Sequence, residues 1–204
     1  MRRFLLATAV LLATGLLAAC GQGTTEPGSR TFHPDAEPIA PYAECTVTIT
    51  DEPATSAAHV PACSELTFGA YPPSSGTHFS SWAAFGEYDA PVPWGFLVHS
   101  LEHGAVVLAY RCETECPELV AGLRAVIDAH GDDPVCRLED GPRFVLVPDP
   151  DLEWPIAAVA WEHRYVATCL DPESLGAFVD EHYGQAPEDL CVPGVDRSAD
   201  GWCP

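Results

Sequence analysis

Three histidines and a glutamate lie close enough in this chain to do chemistry together. His99, Glu102 and His103 sit in "LVHSLEHGAVVLAY", and His78 closes "PPSSGTH" twenty-one residues before His99. If His99–His103 is a turn of helix, positions i, i+3 and i+4 share an arc of roughly 100°, and both rings can reach one ion. In an extended chain the two rings would stand about 13 Å apart, too far to chelate. Gly104 suits the residue just past a helix, and Pro91 and Pro93 lie upstream, so the spacing predicts a short helical turn that stops at Gly104 and feeds a strand. H-x-x-E-H is also the string of inverted zinc peptidases, in which both histidines bind zinc and the glutamate is the general base. The prolines leave room for about three turns at most, a strand follows at once, and no downstream carboxylate stands out as a third ligand. His78 is the natural third imidazole. With Glu102 as ligand or outer partner, the set suits Zn²⁺ or Cu²⁺. The only methionine is the initiator, so thioether ligation of Cu⁺ is excluded. A second reading stays open: the same histidines donate to backbone carbonyls and fix a long loop, as buried polar groups must.

The thiols offer a different chemistry. "VVLAYRCETECPELVAGL" places Cys112 and Cys116 between a strand and a helix. That placement is similar to thioredoxin-fold copper chaperones serving cytochrome oxidase. A helix N-terminus would lower a thiol pKa there, and Glu113 and Glu115 would oppose it. Eight cysteines remain after Cys20, an even number that reads first as four disulfides. Cys112–Cys116 is therefore expected to be structural, with a redox or copper-handling pair as the lesser alternative. Cys45 with Cys63 and Cys191 with Cys203 are the expected local pairings. Ser100 has histidines beside it but no G-x-S-x-G elbow. Trp82, Phe85 and Tyr88 at helical spacing read as core. His33, His59, His130, His163 and His182 show no comparable grouping and read as surface or incidental.

The elements that must position these groups are legible as periodicity. Strands are expected at Cys45–Ile49, Ala105–Tyr110 and Arg143–Pro148, and one alternating strand over Ala157–Cys169. "PELVAGLRAVIDAH" reads as a helix opening with Pro117. "PESLGAFVDEHYG" reads as a second, with Asp171 as N-cap, Pro172 at N1 and Gly184 as the stop. The fold expected is α+β: an antiparallel sheet with helices packed on one face, preceded by a long Pro/Gly/aromatic-rich loop segment and stapled by disulfides.

Residues 1–19 read as a signal peptide, with Arg2 and Arg3 before an apolar run too short to span a bilayer. Leu17-Ala18-Ala19-Cys20 looks like a bacterial lipobox, which implies cleavage before Cys20 and acylation there, palmitate included. The expectation is an extracytoplasmic protein whose one membrane contact is that lipid anchor, at the outer membrane or cell surface rather than the inner membrane. Residues 20–41 then form a flexible tether, 42–193 a single domain, and 194–204 a tail stapled by Cys203. The chain carries thirty acidic residues and nine basic ones, all arginine. With no basic patch to offset phosphate repulsion, nucleic acid is not a partner. The sequence names no protein partner.

One region is recognisable as a whole. "YPPSSGTHFSSWAAFGEYDAPVPWGFLVHSLEHGAVVLAY" resembles the signature of domain of unknown function 3105, with its PP-[ST]-SG-x-H, W-A…G-x-Y-x-x-P-V-P and H-[NS]-LEHG elements. "AVAWEHRYVATCLDPESLGAFVDEHYGQAPED" is similar to its C-terminal part. The resemblance covers about Val60 to Asp189 and implies no established activity. Thr77 stands where the family often has a proline, and Cys112–Cys116 falls where many relatives have an ordinary loop. The function expected is binding of a transition metal (Zn or Cu) through His78, His99, His103 and Glu102, by a non-catalytic carrier, sensor or accessory factor. The rival is a structural or interaction lipoprotein in which the histidines are scaffolding.

Overall fold

The computed structural model describes residues 28–137 and 141–203. The expected signal peptide and Cys20 lie outside them. Twelve elements are seen among the described residues: β1 Gly28–Phe32, β2 Val47–Asp51, β3 His59–Val60, β4 His78–Phe79, β5 Gly86–Glu87, α1 Trp94–Glu102, β6 Val106–Tyr110, α2 Pro117–His130, β7 Phe144–Pro148, β8 Ile156–Ala160, β9 His163–Ala167 and α3 Pro172–His182. Seven strands form one sheet in the order β1-β2-β9-β8-β6-β7-β5, while β3 and β4 make a separate parallel pair. The large sheet is mostly antiparallel; β7 runs parallel to both β6 and β5. The class is α+β with four cysteine pairs at disulfide distance.

The central strands are apolar at every position because both faces of the sheet are covered. Val107, Ala109, Val145, Val147, Ala157 and Val159 meet Leu97, Val98 and Leu101 of α1. Their alternates Val106, Leu108, Phe144, Leu146, Ile156 and Ala158 meet Leu123 and Val126 of α2 and Leu175 and Phe178 of α3. The helices therefore do not share one face: α2 and α3 lie on one side and α1 on the other. The expectation of one covered face took no account of α1, whose nine residues are all buried.

Two further expectations change. The stretch Ala157–Cys169 is a hairpin, not one strand, turning at Trp161-Glu162. Glu162 adopts φ 69° and is held by hydrogen bonds from its N–H to the Ser74 carbonyl and from the Glu52 N–H to its own carbonyl. The flexible tether, expected to reach residue 41, already contains β1, which pairs residue for residue with β2.

The disulfide pairs are Cys45–Cys169, Cys63–Cys203, Cys112–Cys116 and Cys136–Cys191, so neither expected local pairing forms. Sheet register explains the first. Val47 opposes Ala167 in the antiparallel β2–β9 ladder, so the residues two further out on each strand, Cys45 and Cys169, also face each other, with Cα atoms 5.1 Å apart. The tail is built into the domain. Val195 exchanges backbone hydrogen bonds with Trp82 and Ala84, and Trp202 is buried in the α1-side core beside Cys203. Among the described residues, no helix is long and apolar enough to cross a membrane.

Candidate metal centre

Two short elements converge to make the site. α1 carries His99 and Glu102 three residues apart on one side of the helix, as the spacing predicts. It ends on backbone hydrogen bonds from His103 to His99 and from Gly104 to Leu101. The β3–β4 pair supplies the other half, because His59 and His78 are register partners in a parallel ladder and so stand side by side.

The result is a four-group cluster of His59, His78, His99 and Glu102, each offering a ligand atom within 4.8 Å of every other. Glu102 Oε2 lies 3.0 Å from His59 Nε2, 3.0 Å from His78 Nε2 and 3.9 Å from His99 Nε2. Tetrahedral zinc with bonds of about 2.0–2.1 Å sets its ligand atoms about 3.3 Å apart, a spacing that the 3.0 Å and 3.9 Å contacts to Glu102 bracket. Three of the four side chains are buried, and His59 is 43% exposed, which leaves a way in from solvent.

The hydrogen bonds on the far sides of the rings determine what faces the centre. His78 Nδ1 donates to the Gly76 carbonyl at 2.8 Å, and His99 Nδ1 to the Phe79 carbonyl at 2.6 Å. A carbonyl only accepts, so each neutral ring keeps its proton on Nδ1 and turns a lone pair inward from Nε2. Burial pushes the His99 imidazole down to about 4, against the opposing pull of the Phe79 carbonyl, and the neighbouring His103, His78 and His59 rings lower it further. His99 is thus neutral at neutral pH. Lone pairs of two imidazoles and a carboxylate oxygen gather at one point, an arrangement that calls for positive charge among them. All eight cysteines after Cys20 are paired, so the donors available are imidazole and carboxylate, a set suited to Zn²⁺ and Cu²⁺.

Of the residues singled out from sequence, His78, His99 and Glu102 come together. His103 does not join their cluster. Its Nε2 lies 3.3 Å from Glu188 Oε2, its Nδ1 is buried without a hydrogen-bond partner, and its ring stands between Trp82 (4.4 Å) and His99 (4.7 Å). Burial lowers its pKa, with Glu188 opposing. His59, read from sequence as incidental, takes the third imidazole position. The usable signal was a repeated pattern: Ser56-x-x-His59-Val60 and Ser75-x-x-His78-Phe79 share spacing and apolar neighbour, and pair in register. Trp82 stands over His99 and His103 from a loop, not from the helix its spacing with Phe85 and Tyr88 would allow.

Cys112 and Cys116 lie beyond the other end of β6, about 16 Å of strand from the histidine cluster. Cys116 is the N-cap of α2. The remaining histidines have partners the sequence did not reveal. His130 meets Asp180 at 3.0 Å, His163 meets Asp51 at 2.9 Å, and His182 stacks on His163.

A family model described as "Protein of unknown function (DUF3105)" matches residues 59–193, a span that opens on His59 and includes the whole cluster. Searches of curated proteins and of solved structures return no match.

Proposed function

The chain belongs to DUF3105, a family described as of unknown function, and from the geometry of this chain we propose that it binds one divalent transition-metal ion, Zn²⁺ or Cu²⁺, through His59, His78, His99 and Glu102. One observation carries the reading: His78 and His99 have their Nδ1 protons committed to carbonyls while their Nε2 atoms face the Glu102 carboxylate. His59, the exposed member, is the ligand that can open to exchange the ion. The role is that of an extracytoplasmic carrier, sensor or accessory factor. The lipobox-like Leu17-Ala18-Ala19-Cys20 supports a lipid anchor at Cys20, and four cysteine pairs suit an oxidising compartment.

Copper titration of the whole chain tests the reading. Trp82 lies 5.0 Å from the His99 ring and Trp161 6.2 Å from that of His78, so bound Cu²⁺ should quench both indoles. His78→Gln/Glu102→Gln should weaken binding by about 100-fold or more, since losing even an outer partner of a ligand costs roughly 10–100-fold. Equal quenching curves for variant and parent would overturn the site.

A scaffolding reading has one observation in its favour. A proton on His59 Nε2 and another on Glu102 would let both 3.0 Å contacts serve as ordinary hydrogen bonds, leaving only His99 Nε2 at 3.9 Å. It predicts no metal-dependent quenching and a large loss of stability in Glu102→Gln/His59→Ala. Thiol exchange at Cys112–Cys116 is the third reading. It requires both thiols to react with an alkylating reagent after mild reduction while the other three pairs stay protected.

A further inference from the structure

A second group of metal-ligating side chains lies on the opposite face of the sheet. Asp51 ends β2, His163 opens β9, and the two are Cα partners in the antiparallel ladder. Both side chains point to the side that carries α3, as their alternates Ile49 and Tyr165 do. His182, in the last turn of α3, completes the group, with one ligand atom from each residue within 4.8 Å of the others.

His163 Nδ1 faces Asp51 Oδ1 at 2.9 Å, and an ion held between them would replace the shared hydrogen, with the neutral ring carrying its proton on Nε2 instead. His163 and His182 stack with centroids 3.8 Å apart and planes 17° from parallel. His182 is 6% exposed, and its Nε2 is buried with no hydrogen-bond partner. A buried ring nitrogen left without a partner is destabilising, and a cation removes that cost. The charge around the group also favours a cation. Glu181 Oε2 stands 3.9 Å from His182 Nε2, the nearby Arg30 is engaged by Glu181 at 3.5 Å, and the α3 C-terminus directs its partial negative charge here.

We propose that Asp51, His163 and His182 form a second, independent site for a divalent transition-metal ion, bound by two imidazoles and one carboxylate with a further position open to water or a partner's ligand. Such a donor set suits Zn²⁺ and the neighbouring first-row ions. With three protein ligands it should bind more weakly and exchange faster than the four-group site.

Native mass spectrometry of the whole chain with added Zn²⁺ separates the two sites by counting ions. The parent should carry two. Asp51→Asn/His163→Gln alters partly exposed side chains and should carry one, with the second affinity at least tenfold weaker. His59→Gln/His78→Gln should retain the ion held by Asp51, His163 and His182. His182→Gln, checked for folding by circular dichroism, should lose that same ion. If Asp51→Asn/His163→Gln keeps the parent's count and affinity, the second site is overturned. If His59→Gln/His78→Gln loses every ion, all binding belongs to the first cluster; the second site is again overturned and the first reading stands. Loss of one ion only in the Asp51 and His182 variants would sink the first reading and leave the second site.

Discussion

Gly104 is where the site's helix hands over to the central strand, and Gly104→Ala should be among the most destabilising single-methyl changes in the molecule. The residue has φ 87°, a region that costs an L-residue about 1–2 kcal/mol. An added Cβ would also lie 2.7 Å from Arg143 Nη1 and 3.0 Å from Gly184 Cα. Neither neighbour is free to retreat. Gly184 donates its N–H to the Gly104 carbonyl at 3.0 Å. The Arg143 guanidinium, almost wholly buried, is pinned to Asp133 and Asp189 at 2.6 Å each and to the His103 carbonyl at 2.8 Å. Overpacking of this kind costs about 1–3 kcal/mol, giving a total of about 2–5 kcal/mol. For a chain of this size that is a fall in Tm of about 4–20 °C. Gly141→Ala is the control: φ is 66°, but no atom lies within 4 Å of its Cβ, so only the backbone cost of about 1–2 kcal/mol should appear. Urea unfolding of both variants by circular dichroism makes the comparison. Equal losses would refute the claim that the Arg143 clamp is packed rigidly against the end of α1.

Arg143→Met should leave the Asp133 carboxylate buried without its counter-ion, at a cost of about 3–5 kcal/mol in the same unfolding assay. Asp133 also sets an acid limb. Burial alone would raise its pKa, but hydrogen bonds from Arg143, Tyr183 and the Val135 and Cys136 N–H groups outweigh that and hold it at about 2. A depressed carboxyl stabilises the fold above its unfolded pKa near 4 and loses that contribution as pH falls toward 2. The parent should therefore lose about 2 kcal/mol over that window, and Asp133→Asn should lack this limb in a pH series of melts. Peptide mapping without reduction should recover Cys45–Cys169, Cys63–Cys203, Cys112–Cys116 and Cys136–Cys191; a Cys45–Cys63 peptide would contradict the β2–β9 register.

What could be read from the sequence was local. The two amphipathic helices α2 and α3, with Pro117, Asp171 and Pro172 at their starts, follow from spacing within a dozen residues, and so does the short helix ahead of Gly104. The central strands were visible as apolar runs. Features that depend on pairing between distant segments were hidden. β3 is two residues long, and nothing within it marks His59 as the register partner of His78. Cys45 finds Cys169 only through the β2–β9 ladder, and the same ladder brings Asp51 to His163. The β8–β9 hairpin escaped because Trp161-Glu162 contains none of the glycine or asparagine that usually marks a tight turn. His103 was placed with His99 because both lie on one short helical stretch; the side chain instead turns to Glu188, in a segment more than eighty residues away.

The central claim is that His59, His78, His99 and Glu102 hold one ion, and zinc K-edge X-ray absorption on the whole chain carrying Asp51→Asn/His163→Gln tests it most directly. One bound zinc is expected, with three imidazole nitrogens and one carboxylate oxygen at about 2.0–2.2 Å and no sulfur. A zinc with thiolate scattering, with fewer than two imidazoles, or with a spectrum unchanged by His78→Gln/Glu102→Gln would contradict it.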